Sequence, residues 1–176
     1  GPGEDSMLIS LMRRITARAE KERIPKPFYV YVPRHKKDFK RIESQLDDSG
    51  LKFLKRANIL DEKLKLKTNL LENHKKSDGL FGDSLGEINF YFQISDYVFI
   101  GNSFNDLGSH NIIEPLALKK LVVVGPSNWG IEYPIVEALE SDIIKIVQNI
   151  DELYDYWWEQ IVTKKNNYQL KARLEI

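Results

Sequence analysis

Cysteine is absent from all 176 residues. That excludes a disulfide framework and a thiolate metal site, and it makes a reducing cytoplasm the simplest compartment. Histidine is scarce: His35, His74 and His110 lie far apart with no carboxylate pattern around them, so no metal site is expected. No charge of one sign dominates. The 26 basic and 26 acidic residues cancel, which removes the electrostatic reason to expect nucleic acid as a partner. No apolar run approaches the roughly 20 residues that a membrane-spanning helix needs. The opening Gly1-Pro2-Gly3-Glu4-Asp5 has neither the basic nor the apolar part of a secretory signal, and no initiator Met. The chain is therefore expected to be a piece excised from a longer protein, forming one domain over residues 1–176. Gly-x-Gly-x-x-Gly and Walker-type loops are also missing, which argues against a dinucleotide oxidoreductase or a P-loop enzyme.

What is present is a succession of short apolar runs alternating with amphipathic stretches. Leu8, Leu11, Met12, Ile15 and Ala19 recur at helical spacing and predict a helix over 5–23, stopped by Pro25 and Pro27. Its arginines and lysines, from Arg13 to Arg23, are expected to form a solvated face rather than a lipid-binding one. Phe28 to Val32 reads as a buried strand. A second helix fits 37–49, with Phe39, Ile42 and Leu46 inward and Gly50 as its stop. Leu51–Leu54 is a strand. Over 58–78 the alternation of Leu64, Leu66, Thr68 and Leu70 predicts a half-exposed strand, then a polar turn from Asn73 to Asp78. Leu80-Phe81 is a strand, 85–94 a helix, and Tyr97–Ile100 a strand; a polar loop then runs to Asn111, a helix follows it to Leu118, and Leu121–Val124 is a strand. Pro134 suits the start of a helix reaching Glu140. Ile143–Val147 is the last strand, and a helix over 150–164 turns Ile150, Leu153, Trp157 and Ile161 to one side. Tyr154, Tyr156, Trp157 and Trp158 are expected to dock that helix on the body. This alternation predicts an α/β domain with a doubly wound, mainly parallel sheet covered on both faces.

Ligands of such sheets bind beyond the carboxyl ends of the strands, so the segments after the strands matter most. They are Pro33-Arg34-His35, Gly82-Asp83-Ser84-Leu85-Gly86-Glu87, Gly101-Asn102-Ser103, Gly108 to Pro115, and Gly125-Pro126-Ser127-Asn128. Gly108 lets a backbone approach a ligand closely. Ser109, His110 and Asn111 lead into a helix N-terminus, where free N–H groups and the macrodipole favour an anion. Glu114 in the first turn could accept ribose hydroxyls. Asn111 and Glu114 equally fit a capping box, and spacing alone leaves both readings open. Ser84 and Glu87 fit a second capping box, where the structural reading is favoured, and Asp83 fits a turn. Arg34 suits a phosphate or a nucleobase, and equally suits a solvated surface. His74 reads as a surface residue.

These segments, in this order, resemble the Kdo (3-deoxy-D-manno-oct-2-ulosonic acid) transferases. That family carries Pro-Arg-His, Gly-Asp-[Ser/Thr]-x-Gly-Glu, Gly-Gly-Ser, Gly-Gly-His-Asn-x-x-Glu-Pro and Gly-Pro in its C-terminal half. The match covers roughly residues 28–140, and Pro2-Gly3-Glu4-Asp5 resembles the family's Pro-Gly-Glu-Glu, which makes only Gly1 foreign. Two glycines of the pattern are replaced, by Asn102 and Ser109. Asn tolerates left-handed backbone angles, whereas Ser109 adds a hydroxyl where the backbone was bare. The resemblance implies a Rossmann-like domain, one half of a GT-B glycosyltransferase, that binds CMP-Kdo for transfer to the lipid A precursor in lipopolysaccharide biosynthesis. It implies no cofactor and no metal. By carry-over, Arg34 contacts CMP, Ser103, His110 and Asn111 hold the phosphate, and Glu114 holds the ribose. His35, Gly82, Asp83, Gly101, Asn102, Gly108 and Ser109 complete the donor site. The catalytic base and the acceptor site belong to an N-terminal half that this sequence does not include. The full enzyme is expected at the cytoplasmic face of the bacterial inner membrane, and the fragment is expected to be soluble, to bind CMP weakly or not at all, and to transfer no sugar. The rivals are a UDP-sugar transferase or epimerase of the same fold, and a non-catalytic α/β interaction module.

Overall fold

A computed structural model describes residues 3–67, 76–106, 108–127 and 143–174, with side chains as far as residue 164. The chain begins with helix α1 (Glu4–Glu22), whose stripe of Ile9, Leu11, Met12, Ile15 and Ala19 is buried. Strand β1 (Tyr29–Tyr31) follows, then a 3-10 turn (Lys36–Asp38), helix α2 (Phe39–Ser49), strand β2 (Phe53–Lys55) and the single-turn helix α3 (Arg56–Ile59). Gly50 ends α2 at φ 80°, a left-handed angle that a side chain would strain. Next come β3 (Gly79–Phe81), helix α4 (Ile88–Ile94), β4 (Tyr97–Ile100), helix α5 (Ile113–Ala117), β5 (Leu121–Val124), β6 (Ile144–Ile146) and the long helix α6 (Ile150–Leu174). The helix expected from Pro134 to Glu140 lies outside the described residues.

Every pairing among the described strands is parallel, as alternating strands and helices predict. The described strands form two three-stranded sheets, ordered β1-β3-β2 and β4-β5-β6, instead of one continuous ladder. A shared core holds them together. Leu11, Met12 and Ile15 of α1 pack in one cluster with Tyr29 and Phe81 of the first sheet, Val123 of the second, and Leu153 and Trp158 of α6. The aromatic face of α6 does dock on the body: Trp157 meets Phe99 edge-on, and Arg18 stacks 4.1 Å over Trp158. The basic face of α1 is therefore not simply solvated. Arg14 lies 4.4 Å over the Tyr154 ring and pairs with Asp151 at 2.8 Å.

Three local expectations are corrected. The described part of the 58–78 segment is a turn, not a strand. Asp61 accepts the N–H groups of Lys63 and Lys65, Leu64 takes φ 58°, and one antiparallel bridge joins Leu60 to Leu66. The Asp61 side chain competes with the ladder for backbone donors; Thr68, Leu70 and Asn73 lie outside the described residues. Helix α4 starts at Ile88, three residues late, because Ser84 does not cap it. Its hydroxyl donates to the Glu87 carboxylate at 2.5 Å and meets the Tyr91 hydroxyl at 2.6 Å. Helix α5 starts at Ile113, one residue later than expected, with Ile112 instead of Asn111 at the N-cap position.

Candidate functional site

Within each sheet the strands are parallel, so the segments following β1 and β3 leave one sheet at the same end, and those following β4 and β5 leave the other at the same end. Contacts between the loops after β1 and β4 bring those two ends together, as at the switch point where open α/β sheets bind ligands. Arg34, three residues past β1, and His110, ten past β4, meet here across the gap. The Arg34 guanidinium lies in hydrogen-bond contact with His110 Nδ1, with Nη1 3.3 Å from Nε2. Arginine has no acceptor, so it donates to the imidazole lone pair and favours the neutral Nε2–H tautomer. Burial first, then the Arg34 charge, lower the His110 pKa below its ordinary value. Two donors from different halves of the domain converge here, one of them permanently cationic and exposed. That arrangement suits an anion.

The rest of the predicted set divides by what each residue touches. Asn111 is exposed, and its side-chain oxygen accepts the Ile113 N–H at 2.9 Å, capping α5. Glu114 sits half-buried in the first turn of α5; its carbonyl accepts the Leu118 N–H, and its side chain makes no hydrogen bond or ion pair among the described residues. Ser109 is half-buried, its hydroxyl 3.3 Å from the His110 carbonyl. Gly108 takes φ 79°, donates to the Ser127 hydroxyl and accepts from the Asn102 amide. Asn102 takes φ 68°, so the tolerance expected of asparagine is used. His35 is exposed at the start of the 3-10 turn, where its carbonyl accepts the Asp38 N–H.

Three residues serve the scaffold. Gly82 is buried, and a Cβ there would lie 2.8 Å from the Tyr91 ring, so packing demands this glycine. Asp83 accepts the Ala57 N–H at 2.8 Å and caps α3. Ser103 turns its hydroxyl inward. It is 0% exposed; its hydroxyl donates to the Ile100 carbonyl and accepts the Gly125 N–H, both at 2.8 Å. A hydroxyl spent on tying β4 to the end of β5 is not a phosphate donor. Ser103→Ala leaves both backbone groups buried and unpaired, and we expect a loss of about 2–3 kcal/mol in urea unfolding.

The sequence reading missed Glu4, Asp5, Arg56 and Tyr91. Glu4 and Asp5 are buried at 2% and 6% exposure, although acids at a helix start ordinarily signal only the macrodipole. Arg56 forks onto Glu87, Nε to Oε2 at 2.7 Å and Nη2 to Oε1 at 2.5 Å, and donates to the Leu60 and Asp61 carbonyls. Only the run of Ser84, Glu87 and Tyr91 at helical spacing could have hinted at this cluster. Elsewhere, a hollow of about 250 Å³ between α1 and α2, lined by Ser6, Arg13, Gln45 and Asp48 among others, contains none of the predicted residues. No described residues form a cluster able to hold a metal ion, and no helix among them is long and apolar enough to cross a membrane.

No family model matches the sequence. The chain is 32% identical over 139 residues to a 3-deoxy-D-manno-octulosonic acid transferase of Bordetella pertussis, covering 79% of this chain and 30% of that protein. It is 32% identical over 128 residues to the protein of the same name from Haemophilus influenzae, covering 73% of this chain and 26% of that one. The chain thus spans less than a third of the length of these relatives. Its fold matches the crystal structure of the C-terminal CMP-Kdo binding domain of WaaA from Acinetobacter baumannii, with a TM-score of 0.76 and 22% identity over 98% of this chain and 81% of that one. The two 32% identical relatives place this chain in the Kdo transferase family, and its fold is a Rossmann-like half of a GT-B fold.

Proposed function

We propose that this chain is the donor-binding part of a glycosyltransferase, taking CMP-Kdo for transfer to the lipid A precursor. The observation that carries the reading is the convergence of Arg34 and His110 from two sheets at the switch point. Their donors face the place where negative charge grows as CMP departs, and donors held ready for developing charge are the largest contributors to such catalysis. In this reading Glu114, on the first turn of the adjoining helix α5, accepts the ribose hydroxyls, and Asn111 and Ser109 border the phosphate. No metal ion is required. The acceptor and the general base that activates its hydroxyl come from a preceding domain, a division that the greater length of the relatives supports. That longer protein works at the cytoplasmic face of the inner membrane.

Titration of the chain with CMP, UDP and ADP, followed by NMR because the binding is weak, tests the reading. CMP should move the Arg34 and His110 signals with the highest affinity of the three. A preference for UDP or ADP would overturn it in favour of another nucleotide-sugar enzyme. No response to any nucleotide, in this chain or in the longer protein, would favour a non-catalytic module. The chain alone should transfer no sugar, and detectable Kdo transfer would place the catalytic base within these 176 residues.

A further inference from the structure

The first turn of α1 carries two buried acids that grip opposite halves of the domain. Burying a carboxylate is costly unless its oxygens are satisfied. For Glu4 the partners are main-chain groups of the loop after β4: Oε2 accepts the Asn102 N–H at 2.6 Å, and Oε1 accepts those of Ser103 and Phe104, each at 3.2 Å. Successive N–H groups converging at a turn make an anion-binding nest, and here the anion belongs to the protein. The loop is shaped for it. A Cβ on Gly101 would come within 3.0 Å of Glu4 Oε2, and the left-handed angle of Asn102 bends the chain so that the donors meet.

Asp5 reaches the other sheet. It accepts the Tyr31 hydroxyl at 2.6 Å and Arg41 Nη2 at 2.9 Å. Tyr31 is the last residue of β1, three before Arg34. Adjacent residues of one rigid helical turn therefore hold the ends of β1 and β4, which no ladder joins among the described residues.

We infer that Glu4 is a positioning residue for the nucleotide phosphate: it fills the backbone anion nest of the 101–104 loop and, with Asp5, fixes the gap across which Arg34 meets His110. The ligand in this statement rests on the function proposed above; the geometry does not. It follows that the Asn102, Ser103 and Phe104 N–H groups are not phosphate donors, and that the phosphate falls to Arg34, His110 and the segment leading into α5.

The test combines amide hydrogen exchange with CMP titration of the 176-residue chain. In the parent, the amides of residues 102–104 should exchange slowly, and saturation with CMP should leave them where they are while the His110 signals move. Glu4→Gln keeps the shape and removes the charge; those amides should then exchange at least about tenfold faster, and CMP affinity should fall about tenfold. In Glu4→Ala, added acetate should restore CMP binding by re-entering the vacated slot, an outcome that a general loss of packing would not give. Unchanged exchange and affinity in Glu4→Gln would overturn the inference, as would a folded Glu4→Ala that acetate leaves unimproved. If neither variant folds, the parent decides: CMP shifts at 102–104 as large as those at His110 would assign the nest to the ligand instead. A parent that binds no CMP removes the function proposed above and the ligand from this inference, while the exchange rates still decide whether Glu4 sets the loop.

Discussion

Replacing Arg56 with Ala should cost about 3 kcal/mol of folding stability, within the range for breaking one side of a buried ion pair. The guanidinium is almost enclosed, with a side-chain exposure of 11% against 22% for Glu87. All of its bonded neighbours are acceptors: two carboxylate oxygens and the carbonyls of Leu60 and Asp61. Without it, the Glu87 carboxylate keeps the Ser84 hydroxyl but loses its counter-charge in a half-buried place. A globular domain holds roughly 5–15 kcal/mol in total, so this is a large fraction. For a chain of this length it should lower the melting temperature by about 6–12 °C. Arg56→Lys keeps the charge and loses the fork, and should fall between the two. Pairing Arg56→Met with Glu87→Leu should recover most of the loss, because an apolar pair of similar volume removes both desolvation costs. Thermal and urea unfolding of the parent, Arg56→Met, Glu87→Leu and the double variant close the double-mutant cycle. An Arg56→Ala chain within about 1 kcal/mol of the parent would mean that the pair is solvated and contributes as a surface bridge does.

Arg56 also shows where the sequence stopped being legible. The α/β class, the parallel strands and most element positions follow from periodicity, because short apolar runs and amphipathic stretches are local signals. The loops at the strand ends were legible as polar, glycine-bearing segments, and their order carried the family. What side chains do inside those loops was not legible, because it depends on partners far along the chain. Arg56 meets Glu87 across 31 residues, and Glu4 meets the 102–104 backbone across about 100. A capping box read from Ser84 and Glu87 is a reasonable local inference that fails when a distant arginine takes the carboxylate. Ser103 fails the same way: its hydroxyl is claimed by Gly125, 22 residues later. Arg34 and His110, separated by 76 residues, follow the carboxyl ends of β1 and β4, the places the strand-end rule singles out, and the shared core that joins the two sheets brings these ends together.

That meeting yields the second large effect. Arg34→Ala should weaken CMP binding by about 2–4 kcal/mol, the cost of losing a charged partner for a phosphate, which takes a weak site out of the measurable range. His110 adds a pH dependence whose sign follows from its surroundings. In the free chain burial and the Arg34 charge hold its pKa below the ordinary 6.5, so the imidazole is neutral at pH 7. The unfolded chain protonates there first, so stability of the free chain falls as pH drops through 6.5 toward the lowered value. A bound phosphate reverses the field: it screens Arg34 and favours imidazolium. Binding then takes up a proton, and His110 should contribute more affinity as pH falls. The nucleotide's own phosphate loses its second charge near pH 6, about the same range, and pulls the other way. The informative quantity is therefore the ratio of CMP affinities of the parent and His110→Asn, measured from about pH 8 to about pH 6. It should rise as pH falls. A ratio that stays flat would mean that the imidazole never gains its proton beside the ligand, and that Arg34 alone meets the phosphate.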